Sequence, residues 1–528
     1  MKKVIPPVIL SIVLLIMGVH LFHRPELPNL VQHKLQQEYA IKPTPKVDHS
    51  QFEILQQDFK TPQEVTEACI SCHNQSHKEI MASNHWNWDR ISYIEGRGID
   101  KIGKQNALNN FCIGATSNEQ SCAVCHIGFG MSNNLFDFEN AVNVDCMVCH
   151  DQSEAYHKGS AMAGYPDRSV NLTEVAQHVG RPGKLNCGVC HFYGGGGNNV
   201  KHGDLEEALL SCDRNIDVHM AANGINMTCV DCHKAENHKM KGSLYSVSSS
   251  HVNRLTCDEC HTLTPHKDKV LNVHTGRIAC QTCHIPTYAK ENATKMSWNW
   301  STAGDLENGE PFATKDSLGN ILYTSQKGTF TWQRNVEPDY YWFNGNATHY
   351  VLGDKIDEIP VQMNRLLGSA ADINSKIYPV KVHRGDQPYD PNTKLMIQPK
   401  LWSAAKGDSA FWMDFNWHES SIAGMQIVNL PYSGEYGFVE TEMYWPVNHM
   451  VAPKEQSLSC AECHTRDNGR LASLTDFYLP GRDRHAGINV LGKLMLIGAS
   501  IGVFIHALIR FIIAIKNNKI ESQNIQPK

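Results

Sequence analysis

The chain has 528 residues, a formal net charge of −6, 41% hydrophobic residues and 18 cysteines. Its mild acidity, without a basic stripe, argues against nucleic-acid binding, and its length calls for more than one domain. Sixteen of the cysteines fall into eight C-x-x-C-H motifs. A disulfide scaffold does not require a histidine after every second cysteine, and structural zinc needs two further ligands per C-x-x-C, so neither explains the pattern.

The first predicted element is an apolar run from Val4 to Phe22 behind Lys2 and Lys3. No small-residue cleavage site follows, so 1–24 reads as an uncleaved signal anchor, with a cleaved signal peptide as the alternative. Residues 25–60 read as a polar linker. From TPQEVTEACISCH onward, 61–290 carries seven motifs: Cys69, Cys72 and His73; Cys122, Cys125 and His126; Cys146, Cys149 and His150; Cys187, Cys190 and His191; Cys229, Cys232 and His233; Cys257, Cys260 and His261; Cys280, Cys283 and His284. Each is the attachment signature of a c-type haem. Two thiols one turn apart reach both vinyl groups of one porphyrin, and the adjacent histidine takes the iron from the proximal side. With the motif at Cys460, Cys463 and His464, eight covalently bound c-type haems are expected.

Seven motifs in so short a stretch leave each haem too little chain to fold alone. The fold class expected is a multihaem cytochrome c: mainly short α-helices and irregular loops packed around haems, minor β, and terminal transmembrane helices. Residues 291–450 lack motifs but, within the gap between the last two motifs, supply eight of the ten tryptophans. Aromatic–polar alternation there predicts short strands that cover haem faces and wall a cleft. The eighth haem region follows at 451–485. Residues 490–516 include LMLIGASIGVFIHALIRFIIAI, long and apolar enough to cross a bilayer, with Gly498 and Gly502 spaced for close helix approach. Arg510, Lys516 and Lys519 put its distal end and the tail 517–528 in the cytoplasm. The haem motifs are then expected on the periplasmic face of a bacterial inner membrane.

Relay haems take a second imidazole. His85, His157, His219, His238, His251, His266, His274 and His449 are the distal candidates, and spacing does not pair them with particular motifs. The stretch CGVCHFYGGGGNNVKHGDL places four glycines before Lys201. Glycines remove β-carbons and permit positive φ, so the loop can lie against a flat group. A neutral lysine amine can bind iron once burial and metal depress its pKa; a flexible loop with a solvated lysine is the competing reading.

The motif layout, together with NNFCIGATSNEQSCAVCH, the glycine-loop stretch, IACQTCHIP and WPVNHMVAPKEQSLSCAECH, resembles the octahaem tetrathionate reductase family over most of 60–475. The resemblance implies that the second haem, at Cys122 and Cys125 with His126 proximal, carries a lysine in place of a distal histidine. That lysine matches Lys201, and an accompanying asparagine and cysteine match Asn109 and Cys112. It further implies reduction of a small inorganic anion: tetrathionate to thiosulfate, with nitrite and hydroxylamine as further substrates. Lys201, Asn109 and Cys112 are thus the expected catalytic residues, and a membrane-embedded or periplasmic electron donor the expected partner. Cys112 and Cys212 either form a disulfide or leave Cys112 a free thiol. A non-catalytic electron conduit and hydroxylamine oxidation are the competing functions.

Overall fold

A computed structural model describes residues 34–35, 37–39, 47–242 and 253–523. The expected N-terminal anchor and His251 lie outside these residues. The chain divides into two units, 1–457 and 458–528.

In the larger unit the motifs sit on short helical turns, which put cysteines three apart on one face. Helix α1 (Pro62–Cys72) starts at a capping box between Thr61 and Glu64, with proline at its first position, and delivers Cys69 and Cys72 on its last turn. Helix α2 (Lys184–His191) carries the fourth motif. Single turns hold the third (Met147–His150), fifth (Cys229–Cys232) and seventh (Cys280–His284). A small hairpin, β1 (Asp89–Ile94) with β2 (Gly98–Gly103), precedes the second motif.

The expectation of minor β structure is corrected by residues 294–446, which form a nine-stranded mixed sheet. Its strands are β3 (Thr294–Asn299), β4 (Ala313–Lys315), β5 (Ile321–Thr324), β6 (Gly328–Gln333), β7 (Asp339–Phe343), β8 (Val361–Gln362), β9 (Lys376–Asp390), β10 (Leu395–Met396) and β11 (Gly437–Pro446). The order is β8-β11-β9-β3-β6-β5-β4, with β7 and β10 also paired to β9. The 15-residue β9 is the spine: it runs antiparallel to β11 and parallel to β3. Alternation of aromatic with polar residues, as in β6 (GTFTWQ), suits a pleated surface buried on one face. The local patterns predict strands; their assembly into one sheet depends on long-range pairing that no local pattern encodes.

The buried side chains form several separate clusters. One gathers Trp298, Trp300, Phe330, Leu401, Phe411 and Trp417, with Cys112 packed on its edge. Trp298 and Trp300 stack at 4.8 Å, and Trp417 lies on Phe411 at 3.9 Å. The tryptophan-rich segment therefore packs against the loop that precedes the second motif. Helix α3 (Trp417–Ile427) supplies Trp417 and sits between β10 and β11 in sequence.

The smaller unit holds the eighth motif on a turn at Cys460–Cys463, where His464 Nδ1 lies 2.8 Å from the Pro480 carbonyl. It continues into helix α4 (Ala486–Gln523), of which Ala486–Asn517 is long and apolar enough to cross a membrane, with mean hydropathy 2.2.

Candidate functional site

Among the described residues, six pairs of imidazoles face one another across gaps of one size. His49 faces His73 at a ring-centre separation of 6.4 Å, and His85 faces His191 at 6.3 Å. His238 faces His150 at 6.3 Å, and His449 faces His233 at 6.3 Å. His219 faces His261 and His266 faces His284, both at 6.1 Å. Two imidazoles on one iron, with metal–nitrogen bonds of about 2.0 Å and ring centres roughly 1.15 Å behind each nitrogen, stand about 6.3 Å apart. Every pair contains one motif histidine, so the residues present fit haem with two axial imidazoles. Carboxylates orient several of the opposing rings: Glu79 lies 2.8 Å from His238 Nδ1, and Asp204 lies 3.2 Å from His449 Nδ1. Such contacts fix the tautomer and leave Nε2 for metal.

Five of the candidates named from sequence thus stand opposite motif histidines. His157 is exposed, its Nδ1 near the Ala155 carbonyl. His274 ends a short helix, Lys269–His274, and does not stand in any of the six pairs. His49 has no sequence signal: it lies in the polar stretch that reads as linker, on a turn capped by Asp48.

The motifs also adjoin one another. Cys69 and Cys146, Cys125 and Cys190, Cys187 and Cys229, and Cys257 and Cys280 are thiol neighbours within hydrogen-bonding reach. Cys149 lies within electrostatic reach of Cys187, and Cys260 of Cys232. Motifs one, three, four, five, six and seven therefore form a continuous series, with the second joined to the fourth.

The second motif differs from the other six of the larger unit. His126 sits in a box of Trp86, Trp88, Phe136 and Phe138, and no second imidazole faces it among the described residues. Where His150, His233 and His464 point Nδ1 at a backbone carbonyl, His126 instead places Nε2 2.6 Å from the Trp86 carbonyl and leaves Nδ1 buried without a partner. Burial pushes its pKa down to about 3. Behind it, Lys158 and Asp145 form a buried ion pair at 3.1 Å, and Lys158 also donates to the His126 carbonyl.

Lys201, Cys112 and Asn109 converge on this motif. The half-buried Lys201 ammonium lies 4.7 Å from the Trp445 ring centre and 5.4 Å from that of Phe111. Burial and the charge of Lys104 push its pKa down to about 7, against an opposing pull from Cys125. Cys112 is electrostatically close to Cys122, whose thiol burial and Cys112 together push up to about 12. Gly195 and Gly196 adopt φ of +84° and +85°, and a β-carbon at Gly195 would meet Phe111 Cδ2 at 2.8 Å. The glycines let the loop turn tightly over Phe111.

The Lys201 loop is stapled to the sheet. Lys381 on β9, fully buried, donates to the carbonyls of Val200 (2.8 Å) and Lys201 (3.1 Å) and to Thr294 Oγ1 (2.6 Å). Thr294 in turn donates to the Asn199 carbonyl at 2.6 Å. Asn109 is used locally: its carbonyl oxygen accepts from Cys112 N at 2.8 Å, and its amide donates to the Ile113 carbonyl. Asn110 ties the same turn to β9 through the His383 carbonyl at 2.6 Å. Gln387 donates to the carbonyls of Asn109 and Cys112. Cys112 and Cys212 are free thiols in separate clusters; burial raises the pKa of Cys112, while Lys327, Lys295 and Lys104 act to lower it. Sequence reading missed Lys295, Lys327 and Lys381 because isolated lysines resemble solvated charge.

Residues 295–467 match the family described as bacterial cytochrome c. The crystal structure of octaheme cytochrome c from Shewanella oneidensis superposes with a TM-score of 0.75 and 40% identity, covering 81% of this chain and 96% of that one. An uncharacterized protein of Archaeoglobus fulgidus is 24% identical over 37% of this chain and 80% of its own length. With its repeated C-x-x-C-H turns, its facing imidazoles and this structural relative, the chain belongs to the multihaem c-type cytochromes.

Proposed function

We propose that this cytochrome carries eight c-type haems and reduces a small inorganic anion beside its second motif, with tetrathionate as the substrate that suits the site best. The observation that carries this reading is the convergence of Lys201, Lys104, Lys295 and Lys327 around Cys112 and the one described motif histidine of the larger unit without an opposing imidazole. Splitting tetrathionate consumes two electrons and no proton: S4O6(2−) + 2e− gives two S2O3(2−). Total charge grows from −2 to −4, so the chain's task is to stabilise accumulating negative charge, which fixed cations in a dry site do well.

Bound haems supply one-electron redox chemistry at each motif. The adjoining motifs provide a route for electrons to the second. Lys201, with a pKa near neutrality, is available as a free amine able to ligate iron and release it, or as an ammonium that pairs with the anion. Asn109 shapes the Cys112 turn and so sets where that thiol stands. Helix α4 would anchor the protein to a bacterial membrane, with the haem units on the periplasmic side and a membrane-embedded or periplasmic donor as partner. A non-catalytic conduit draws support from the same continuous motif series, but does not require a lysine cluster at one motif only. Electron paramagnetic resonance of the purified protein with and without tetrathionate tests the reading. A substrate-sensitive signal, lost in Lys201→Met, is expected; unchanged turnover in that variant refutes the role of Lys201.

A further inference from the structure

Among the described residues of the larger unit, Lys290, Lys295 and Lys381 are each exposed by less than a tenth, and they behave differently. Lys381 and Lys290 each spend the ammonium on backbone: Lys381 as above, Lys290 on the carbonyls of Asn215, Ile216 and Met450. These are clamps. Lys295, only 5% exposed, makes no such bonds. Its nitrogen lies 3.7 Å from the Phe330 ring centre, 3.9 Å from Trp298 and 5.4 Å from Trp332.

The sheet is bent to put it there. In a regular strand Lys295 and Trp298 point to opposite faces. Between β3 and β6, however, the register slips: Ser297 opposes Thr331 while Lys295 opposes Trp332, leaving Met296 as an extra residue. This bulge turns Lys295 onto the same side as Trp298, a use of bulges that re-aims a side chain. The β5–β6 turn brings in Lys327, whose ammonium would stand 3.7 Å from a β-carbon at Gly196 and lies 5.2 Å from Trp412. A buried cation with no anion and no carbonyl is costly unless something pairs with it. Cys112 is a group of opposite potential charge that acts on Lys295, and it packs against the cluster that holds Trp298 and Phe330, the two rings nearest the Lys295 ammonium.

We propose that Lys295, with Lys327, is the specificity-determining cation of this site, holding a negatively charged oxyanion group beside Cys112 and so selecting anions over neutral molecules of similar size. This rests on the proposed anion reduction and names the residues that select its substrate; Lys295 pairs with the bound anion and makes or breaks no bond of its own. Burial and the charge of Lys327 push the Lys295 pKa well below the ordinary lysine value, so its ammonium form gains most from an anion that enters beside it, and the aromatic cage fixes where it stands.

The test is charge-selective alkylation of Cys112 in the full-length, haem-loaded protein, mapped by peptide mass spectrometry. The ratio of the rates with iodoacetate (anionic) and iodoacetamide (neutral) cancels any change in thiolate fraction. In the unaltered protein this ratio is expected to exceed that of free cysteine by about tenfold, the effect of one nearby desolvated charge. Lys295→Met returns it to the free-cysteine value, Lys295→Arg preserves it, and Lys327→Met lowers it about threefold. An unchanged ratio in Lys295→Met, equal loss of both rates in Lys295→Met and Lys295→Arg, or a Cys112 that reacts with neither reagent overturns the proposal. Because the ratio depends neither on turnover nor on iron ligation, it holds or fails separately from the reductase reading. As a second readout, the KM for tetrathionate rises about tenfold in Lys295→Met, while the KM for hydroxylamine stays within twofold.

Discussion

Between Pro62 and His284 the chemistry is carried by short turns, each with its own cysteines and histidine. Between Thr294 and Pro446 it is carried by a sheet, and no residue there announces itself in sequence. The first region repeats one local solution and distributes it along a continuous series. The second makes one motif of the larger unit unlike its six companions: Lys381 staples the Lys201 loop, Trp445 lies under the Lys201 ammonium, and the β3 bulge turns Lys295 onto the cluster against which Cys112 packs. Redox capacity arises from local repetition, and individuality at one centre arises from long-range packing.

The largest effect expected from breaking this division is at Lys201. Lys201→Met should lower tetrathionate turnover by at least about 100-fold, the scale of losing a group that acts on the reacting centre, while reductive titration of the remaining haems stays unchanged. Lys381→Met removes two hydrogen bonds to the loop and a third to Thr294 Oγ1, from a fully buried position. Turnover should fall about tenfold, with a changed spectrum only at the haem bound by Cys122 and Cys125. In the repeated region, His49→Ala should leave one iron without its second imidazole. One low-spin signal converts to high spin by electron paramagnetic resonance, and tetrathionate turnover falls by about threefold or less because the centre beside Lys201 is untouched.

A smaller effect is set by pH. Burial holds the pKa values of Lys201 and Lys381 at about 7 and that of Lys290 at about 8, all below the ordinary lysine value. Between those values and the ordinary one the unfolded chain binds more protons than the folded chain, so stability rises with pH across that window and is lower below it. Thermal unfolding followed by circular dichroism should show a midpoint a few degrees higher at pH 9 than at pH 6.5, with a reduced difference in Lys381→Met. A flat or inverted dependence would contradict the burial of these amines.

Much of the repeated region was legible because its signals are local. C-x-x-C-H states the attachment chemistry within five residues, and histidines such as His85 and His449 stand out against their neighbours. Which imidazole meets which was not legible: His85 meets His191 and His238 meets His150 through tertiary packing. His49 was lost in a polar stretch whose only hint was the Asp48 cap. The resemblance around Lys201, Asn109 and Cys112 pointed to residues that pack near the second motif, but it did not convey that Asn109 uses its side chain on the turn itself. The sheet was underestimated because its short strands acquire their meaning only by pairing with β9. Lys295 was invisible for the same reason, since a bulge is a relation between two strands.

The most direct test of the central claim, that one centre is held differently from its fellows, is electron paramagnetic resonance of the fully oxidised protein before and after tetrathionate addition. The account predicts one signal distinct from those of irons with two imidazoles, responsive to tetrathionate and abolished in Lys201→Met. Signals from paired imidazoles alone, indifferent to the anion, would contradict it.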